Sequence, residues 1–184
     1  MKKPRTKTRA AFAHQCVVCF IDSDSDLSGV SIWVGGKLHM HGAVKTATSR
    51  DMWVGRARGV AEGAGLPLVF AVEDTNGRFK TWMTAIGYGD ARGMWLQAIE
   101  ASGYRLDHIV WIPVNTWRSR LGIGKHADRK AYKAAAMRRV KQEFGLTVGD
   151  DEAEAILGGK VATLAPETTE MLGKISRARK KAAA

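Results

Sequence analysis

The sequence predicts a single α/β domain, a five-stranded mixed sheet flanked by helices, with a basic segment at each end of the chain. Three apolar segments with strand patterns come first, and helix and strand patterns alternate after them, which is typical of an α/β sheet. No internal repeat interrupts this order, and 184 residues with 45% hydrophobic content are enough for one core. The expected boundaries are a flexible basic arm at 1–13, a folded domain at 14–165 and a basic, helical tail at 166–184.

The first three strands are predicted to be antiparallel. A continuous apolar run at 15–22 is typical of a buried strand, and a second apolar run follows at 29–36. Gly35 and Gly36 are a two-residue hairpin signal, after which KLHMHGAV alternates as a third strand would. No apolar run reaches the roughly 18 residues that a membrane span needs, so we expect no transmembrane helix.

Helices and strands alternate along the rest of the chain. Ser49 is a typical helix N-cap, and the apolar segment LPLVFAVED follows that helix as a buried strand. A loop rich in glycine and aromatic residues is expected at 75–89. The predicted elements are a helix from Ser49 to about Gly63, a strand at 66–74, a helix at about 90–102, a strand at 108–114, a basic helix at 127–144 and a last helix that begins near Gly149.

The net charge of +11 comes almost entirely from the two ends of the chain. Residues 1–10 and 174–184 each carry five basic side chains and no acid. Between them, residues 114–145 hold nine Lys or Arg against Asp128 and Glu143. A basic segment beside acidic strand ends is the pattern expected when phosphates are bound near a carboxylate metal site. Solvated helix faces and soluble tails are the alternative.

Cysteine and histidine spacing gives little support for a zinc or redox site. Cys16 and Cys19 form a CxxC, but residues three apart in a strand point to opposite faces, and no second ligand pair follows. We therefore expect two reduced thiols in the core of a cytoplasmic protein. The basic N-terminus leaves organellar import as an alternative. His39 and His41 share one face of the third strand, and an exposed face is favoured over a two-ligand metal site.

Four acidic residues occupy positions that the predicted fold would bring together at one edge of the sheet. Asp22 ends the first strand and Glu73 the fourth, so their side chains meet if these strands are parallel neighbours. Asp151 and Glu154 are three residues apart and share one face of the last helix. Carboxylate oxygens suit Mg²⁺ or Mn²⁺, and two such ions can direct water against a phosphodiester. This pattern indicates a nuclease.

Neighbouring acids have structural interpretations. Asp24 and Asp26 are expected to form the turn between the first two strands. Asp150 is expected to be the N-cap of the last helix, and Glu152 to favour the positive end of that helix.

Three segments resemble RuvC-type Holliday junction resolvases. FIDSDSDLSGVSIW resembles the opening motif of that family, in which an Asp ends the first strand and a pair such as Ser28 and Gly29 begins the second. AVED resembles the second-acid strand and GDDEAEAILGG the last helix. The stretch from GYGDARGMW to AAAMRR is similar to the helix, fifth strand and basic segment of phage, bacterial and chloroplast members. The matching acids are Asp22, Glu73, Asp151 and Glu154.

The resemblance covers about residues 16–164 and implies an RNase H-like fold, a homodimer and symmetric nicking of four-way DNA junctions. It also implies that the four matching acids are both catalytic residues and ligands of two Mg²⁺ ions, with Mn²⁺ as a substitute. The helix at 50–63 is a candidate dimer interface. Two alternatives stay open: a less selective RNase H-like nuclease acting on branched DNA, flaps or RNA–DNA hybrids, and a non-catalytic junction-binding protein.

Basic and aromatic residues are expected to contact the DNA, with solvated helix charges and core packing as the alternatives. A basic residue in this region of the family supports catalysis, and Lys125 and Lys130 are the matching choices. Phe79 and Trp82 are candidates to wedge between bases or to anchor their loop in the core. The expected phosphate contacts are Arg118, Arg120, Lys125, Arg129, Lys130 and Lys133.

Overall fold

A computed structural model describes residues 15–24, 26–75, 82–123 and 128–182. Within these residues the chain forms one five-stranded mixed sheet with the spatial order β3-β2-β1-β4-β5. The strands are Val17–Asp22 (β1), Leu27–Val34 (β2), Lys37–Lys45 (β3), Leu68–Asp74 (β4) and Val110–Pro113 (β5). The first three are antiparallel, whereas β4 is parallel to β1 and β5 is parallel to β4. The predicted fold class is confirmed.

Helices cover both faces of the sheet. One face carries a core of β-strand side chains packed against the first two helices, and the other carries a core packed against the last four. Strand side chains alternate between the two cores, so that Phe20 enters one and Ile21 the other. The described helices are Thr46–Ala64 (α1), Trp82–Ala101 (α2), Val114–Arg120 (α3), Arg129–Phe144 (α4), Asp150–Leu164 (α5) and Pro166–Ala182 (α6).

The two cysteines lie in these two cores. Cys16 and Cys19 are both buried and free, and they belong to opposite faces of the sheet. Burial raises the pKa of the Cys16 thiol to about 11 and that of Cys19 to about 12. The prediction of reduced core thiols is confirmed.

Glycines let α5 pack unusually close to the sheet. A Cβ on Gly29 would lie 2.1 Å from the backbone oxygen of Asp151, and one on Gly158 would lie 2.3 Å from the ring of Phe20. Ser31 completes the contact by donating a 2.7 Å hydrogen bond to the backbone oxygen of Ala155. This close packing places the first turn of α5 beside the end of β1.

The predicted helix starts need correction. α1 begins at Thr46 rather than Ser49, because the Thr46 hydroxyl is buried 2.7 Å from that of Ser28 and fixes the first turn. α2 begins at Trp82 rather than near residue 90, and its earlier part is tied to α4 through Tyr88, which contacts Arg129. Gly149 is the N-cap of α5, and Asp150 is its first helical residue.

The structure describes most of the predicted C-terminal tail but not the predicted N-terminal arm. The predicted basic arm at 1–13 lies outside the described residues. Residues 166–182 are helical, and Met171 and Leu172 of α6 are buried against the core. Among the described helices, none combines the length and the apolar character that crossing a bilayer requires.

Candidate active site

Asp22 and Glu73 meet at one edge of the sheet, where the parallel strands β1 and β4 end. Ile21 and Val72 are paired in register, so the next residue of each strand projects from the same edge. Both carboxylates are 7% exposed. The indole nitrogen of Trp117 donates a hydrogen bond of 2.9 Å to Oε1 of Glu73.

The first turn of α5 adds Asp151 and Glu154 to this edge. Burial raises the pKa of Asp22 well above its usual 3.8, and the charges of Glu73, Glu154 and Asp151 raise it further. Burial, followed by the charge of Glu73, raises the pKa of Glu154 to about 7. The structure therefore places Glu73, Glu154 and Asp151 close enough for their charges to act on Asp22. Asp22, Glu73 and Glu154 are buried, and Asp151 is half-buried.

Two cations from the neighbouring helices face these carboxylates. Nη2 of Arg118 lies 2.9 Å from Oε1 of Glu154, and its guanidinium stacks 3.6 Å from the ring centroid of Tyr132. Nζ of Lys133 lies 2.9 Å from Oδ1 of Asp151 and 2.5 Å from Oδ2 of Asp150. Partial burial lowers the pKa of Lys133, but its hydrogen bonds to these two aspartates outweigh that effect and raise it.

The donor chemistry of the carboxylate cluster fits a divalent cation. Among the described side chains, no group of three or more His, Cys, Asp or Glu residues is arranged to hold a metal ion. Glu154 and Asp151 are instead paired with Arg118 and Lys133. The four carboxylates nevertheless offer only hard oxygen donors in a buried setting, as Mg²⁺ and Mn²⁺ prefer. After burial, the charges of Glu73, Glu154 and Asp151 still raise the pKa of Asp22, so the neighbouring cations do not cancel the negative charge at this position. A divalent ion would remove this excess negative charge.

Comparison with solved structures places this architecture among known folds. Thermus thermophilus RuvC in complex with a Holliday junction substrate is similar, with a TM-score of 0.53 and 20% identity over 81% of this chain and 93% of that one. The chain has the RuvC fold. A second structure of Thermus thermophilus RuvC gives a TM-score of 0.53 and 22% identity over 80% and 93% of the two chains. No protein-family model matches the chain, and no curated protein matches it significantly in sequence.

An arginine on α2 anchors the strand that carries Glu73 in this RuvC fold. Nη2 of Arg92 lies 3.4 Å from both the backbone oxygen of Glu73 and the hydroxyl of Thr75. The same guanidinium lies 4.0 Å from Asp74 and stacks over Trp111. Neither Arg92 nor Trp117 was predicted from the sequence to contact the acids. An arginine or tryptophan within a helix carries no local signal of which distant carboxylate it contacts.

A second polar cluster, formed by Asp24, Tyr88 and Arg129, lies near the carboxylates. Arg129 at the start of α4 lies 3.3 Å from Asp24 and is hydrogen-bonded to Tyr88 of α2. Burial, followed by the charges of Asp24 and Asp22, raises the pKa of Tyr88 to about 12. Asp24 thus joins the segment between β1 and β2 to α4, and Arg129 in turn contacts Tyr88 of α2.

The predicted DNA contacts fall into three groups in this RuvC fold. Arg118 and Lys133 face the carboxylates, whereas Arg120 and Lys130 are exposed and Arg129 meets Asp24. Among the described lysines of this segment, Lys133 lies beside the acids, whereas Lys130 is exposed. Trp82 begins α2, and its side chain lies outside the described part of the chain, as do residues Phe79 and Lys125.

The two histidines of β3 have different surroundings. His39 is exposed, whereas Nδ1 of His41 lies 2.5 Å from Oε1 of Glu152 on α5. Glu152 lies in the first turn of the helix, as predicted, and its carboxylate also joins α5 to the edge strand.

Proposed function

We propose that this protein is a metal-dependent endonuclease that makes symmetric nicks in four-way DNA junctions. The observation that carries this proposal is the burial of Asp22 against Glu73, with Glu154 and Asp151 close enough to raise its pKa. Clustered buried carboxylates destabilise a fold unless something offsets their repulsion, so such a cluster is typical of a functional site. The likeness to RuvC in complex with a Holliday junction substrate supports DNA as the substrate.

Each side chain of the cluster has a distinct part in this proposal. Asp22, Glu73, Asp151 and Glu154 would hold two Mg²⁺ ions, or Mn²⁺ in their place. Bound ions of this kind supply an activated water and stabilise the departing 3′ oxygen of a phosphodiester. Trp117 fixes the orientation of Glu73 through the indole hydrogen bond.

Arg118 and Lys133, the two cations beside the carboxylates, also have a part in this proposal. Arg118 and Lys133 offset the charge of the two α5 carboxylates before DNA arrives. When those carboxylates bind other cations, the guanidinium and ammonium groups become available to the phosphates of the DNA. Arg120 and Lys130 are exposed and contribute further positive charge along the approach to the site.

A homodimer is part of the proposal. Symmetric incision needs two sites, and one domain of 20.0 kDa supplies one. The candidate interface is the outer surface of α1 and α2, where Met52, Met83 and Ile86 are 46%, 62% and 46% exposed.

The test is a nicking assay on an end-labelled four-way junction beside a linear duplex of the same sequence, with Mg²⁺ or with EDTA. We expect symmetric cuts on the junction only, lost in EDTA and in Asp22→Asn, while Asp22→Asn keeps its affinity for the junction. Equal cutting of duplexes, flaps or RNA–DNA hybrids would replace the proposal with a less selective nuclease. Tight junction binding without any cutting would instead indicate a binding protein.

A further inference from the structure

The last helix presents a stripe of positive charge on a rigid support. Lys174, Arg177 and Lys181 of α6 are exposed, and their i, i+3, i+7 spacing places them on one face along about 10 Å of helix. We call these three residues the α6 stripe. No acidic residue follows Glu170 in the chain. Among the described residues, none of the three forms an ion pair with a carboxylate.

The helix is held in place by the face opposite the α6 stripe. Met171 and Leu172 are 6% and 8% exposed, and Ile175 packs against the same core. Thr168 donates a hydrogen bond of 2.6 Å to the backbone oxygen of Ala162 and ties the start of α6 to the end of α5. The charges are therefore presented in a fixed direction.

The α6 stripe lies far from the carboxylate cluster. Ile175 lines a small cleft with Leu68 and Phe70, which stand at the beginning of β4, whereas Glu73 stands at its end. The five residue steps from Leu68 to Glu73 span about 17 Å of strand. The stripe and the cluster are thus near opposite edges of the sheet.

Stabilisation of the helix dipole accounts for only one of the three cations of the α6 stripe. Cations stabilise a helix dipole within its last turn, which includes Lys181 but neither Lys174 nor Arg177. A membrane surface is also a poor partner, because the apolar face that would enter a bilayer is already buried in the core. An unpaired, pre-positioned row of Lys and Arg complements a polyanion whose charges are regularly spaced, such as a duplex backbone.

We propose that the α6 stripe binds the phosphate backbone of a DNA duplex arm, away from the edge of the sheet where strands are cut. The identification of the polyanion as DNA rests on the proposed nuclease function. A branched substrate would then contact the protein at two separated places, the carboxylate cluster and the α6 stripe. A linear duplex of the same length would not contact both places as well. The stripe would contribute affinity without taking part in the reaction.

The experiment compares the intact protein with K174Q/R177Q/K181Q, in which glutamine keeps helix propensity and removes the charge. Dissociation constants for a linear duplex and a four-way junction are measured in EDTA across a series of KCl concentrations. Losing three phosphate contacts should make the slope of log K against log salt shallower by about 2–3 and weaken binding by about a hundredfold near 0.1 M salt.

Two further variants separate this effect from net charge and from folding. K37Q/K45Q/R56Q removes three exposed cations from β3 and α1 and should keep the wild-type salt slope. K174R/R177K/K181R exchanges the residues but keeps the charge, so it should bind as the wild type does. Circular dichroism melts of all variants show whether α6 still packs.

The binding measurements are made in EDTA, so their outcome does not depend on whether the protein cuts DNA. A wild-type affinity and salt slope in the glutamine variant would overturn the proposal, as would an equal loss in the control triple variant. Charge-dependent binding of the α6 stripe to phosphatidylserine vesicles, with DNA affinity unchanged, would assign it to a membrane instead. If the protein proves unable to cut junctions but the salt slope changes as expected, the proposed nuclease function fails and this inference stands.

Discussion

The indole nitrogen of Trp117 donates a 2.9 Å hydrogen bond to Oε1 of Glu73 from a fully buried position. Trp117 lies on α3, directly after β5, which is the neighbour of the strand that ends in Glu73. Its neighbour Arg118 binds Glu154 from the same helix turn. Two consecutive residues of one short helix thus orient a carboxylate of the sheet and a carboxylate of α5.

Trp117→Phe should raise the Mg²⁺ concentration needed for half-maximal nicking. Phenylalanine keeps most of the ring but leaves Glu73 without its indole donor, so the carboxylate loses its fixed orientation. Loss of a group that orients a metal ligand typically costs about tenfold or more in metal affinity or activity. The measurement is nicking rate against Mg²⁺ concentration, together with the free energy of unfolding, which should fall by about 1–3 kcal/mol.

The matched control is Trp33→Phe. Trp33 is also buried, and its indole donates a 3.0 Å hydrogen bond to Ser31, away from the carboxylates. It should lose a similar amount of stability with no change in Mg²⁺ requirement. The same shift in both variants would show that general destabilisation, not orientation of Glu73, is responsible.

Asp22→Asn should make the metal-free protein more stable and the enzyme inactive. Asparagine can donate a hydrogen bond to Glu73 and removes one buried negative charge. It therefore avoids both the burial cost and the repulsion that raise the pKa of Asp22. In EDTA we expect Tm to rise by about 2–8 °C, since 1 kcal/mol moves Tm by roughly 2–4 °C in a domain of this size. Nicking in Mg²⁺ should fall by about 10³ or more.

Asp26→Asn serves as the control for that experiment, because Asp26 is exposed in the same turn. It should leave both Tm and nicking close to those of the wild type. A fully active Asp22→Asn protein would remove Asp22 from the proposed site. A lower Tm of the Asp22→Asn protein in EDTA would show that the charge of Asp22 does not destabilise the fold.

The sheet and the four acids are visible in the sequence because each depends on a local pattern. Asp22 and Glu73 end apolar strands, and their meeting requires only that β1 and β4 be parallel neighbours, which they are. The hairpin at Gly35 and Gly36 is equally local, and both glycines have positive φ, of 56° and 78°. Side-chain periodicity and turn chemistry suffice for features of this kind.

The partners of the acids could not be predicted from sequence, because they depend on how separate helices pack. Arg118 and Lys133 were recognised as basic and assigned to phosphates, but no local pattern says that they approach Glu154 and Asp151. The early start of α2 has the same origin, since the Tyr88 contact with Arg129 joins two separate helices.

The free energy of unfolding in EDTA should fall as pH rises from about 4.5 to about 7. Burial and the charge of Glu73 raise the pKa of Glu154 from 4.5 to about 7, so across this window the folded chain holds a proton that the unfolded chain has released. Stability falls with pH wherever the folded state binds more protons. Denaturant titrations at several pH values should show a loss of about 1–3 kcal/mol.

Glu154→Gln should make this decline shallower, because the substituted side chain no longer titrates. Asp150 provides a contrast: its hydrogen bond to Lys133 lowers its pKa, so the stability it contributes is lost only as pH falls below about 4. A wild-type curve that is flat between pH 4.5 and 7, or an unchanged slope in Glu154→Gln, would contradict the assignment.

Gly29→Ala should damage the site by moving α5. The added Cβ would lie 2.1 Å from the backbone oxygen of Asp151 and 2.8 Å from Cβ of Ala155, and neither atom can move unless the helix shifts. Overpacking of this kind costs about 1–3 kcal/mol or more and would carry Asp151 and Glu154 away from Asp22. The measurements are the free energy of unfolding and the nicking rate in Mg²⁺, and both should fall. Gly55→Ala on α1 is the control: its Cβ would meet no atom within 4 Å, so the same substitution should stabilise the helix by about 0.5–1 kcal/mol and leave nicking unchanged. An active and stable Gly29→Ala protein would show that the position of α5 does not depend on this close approach.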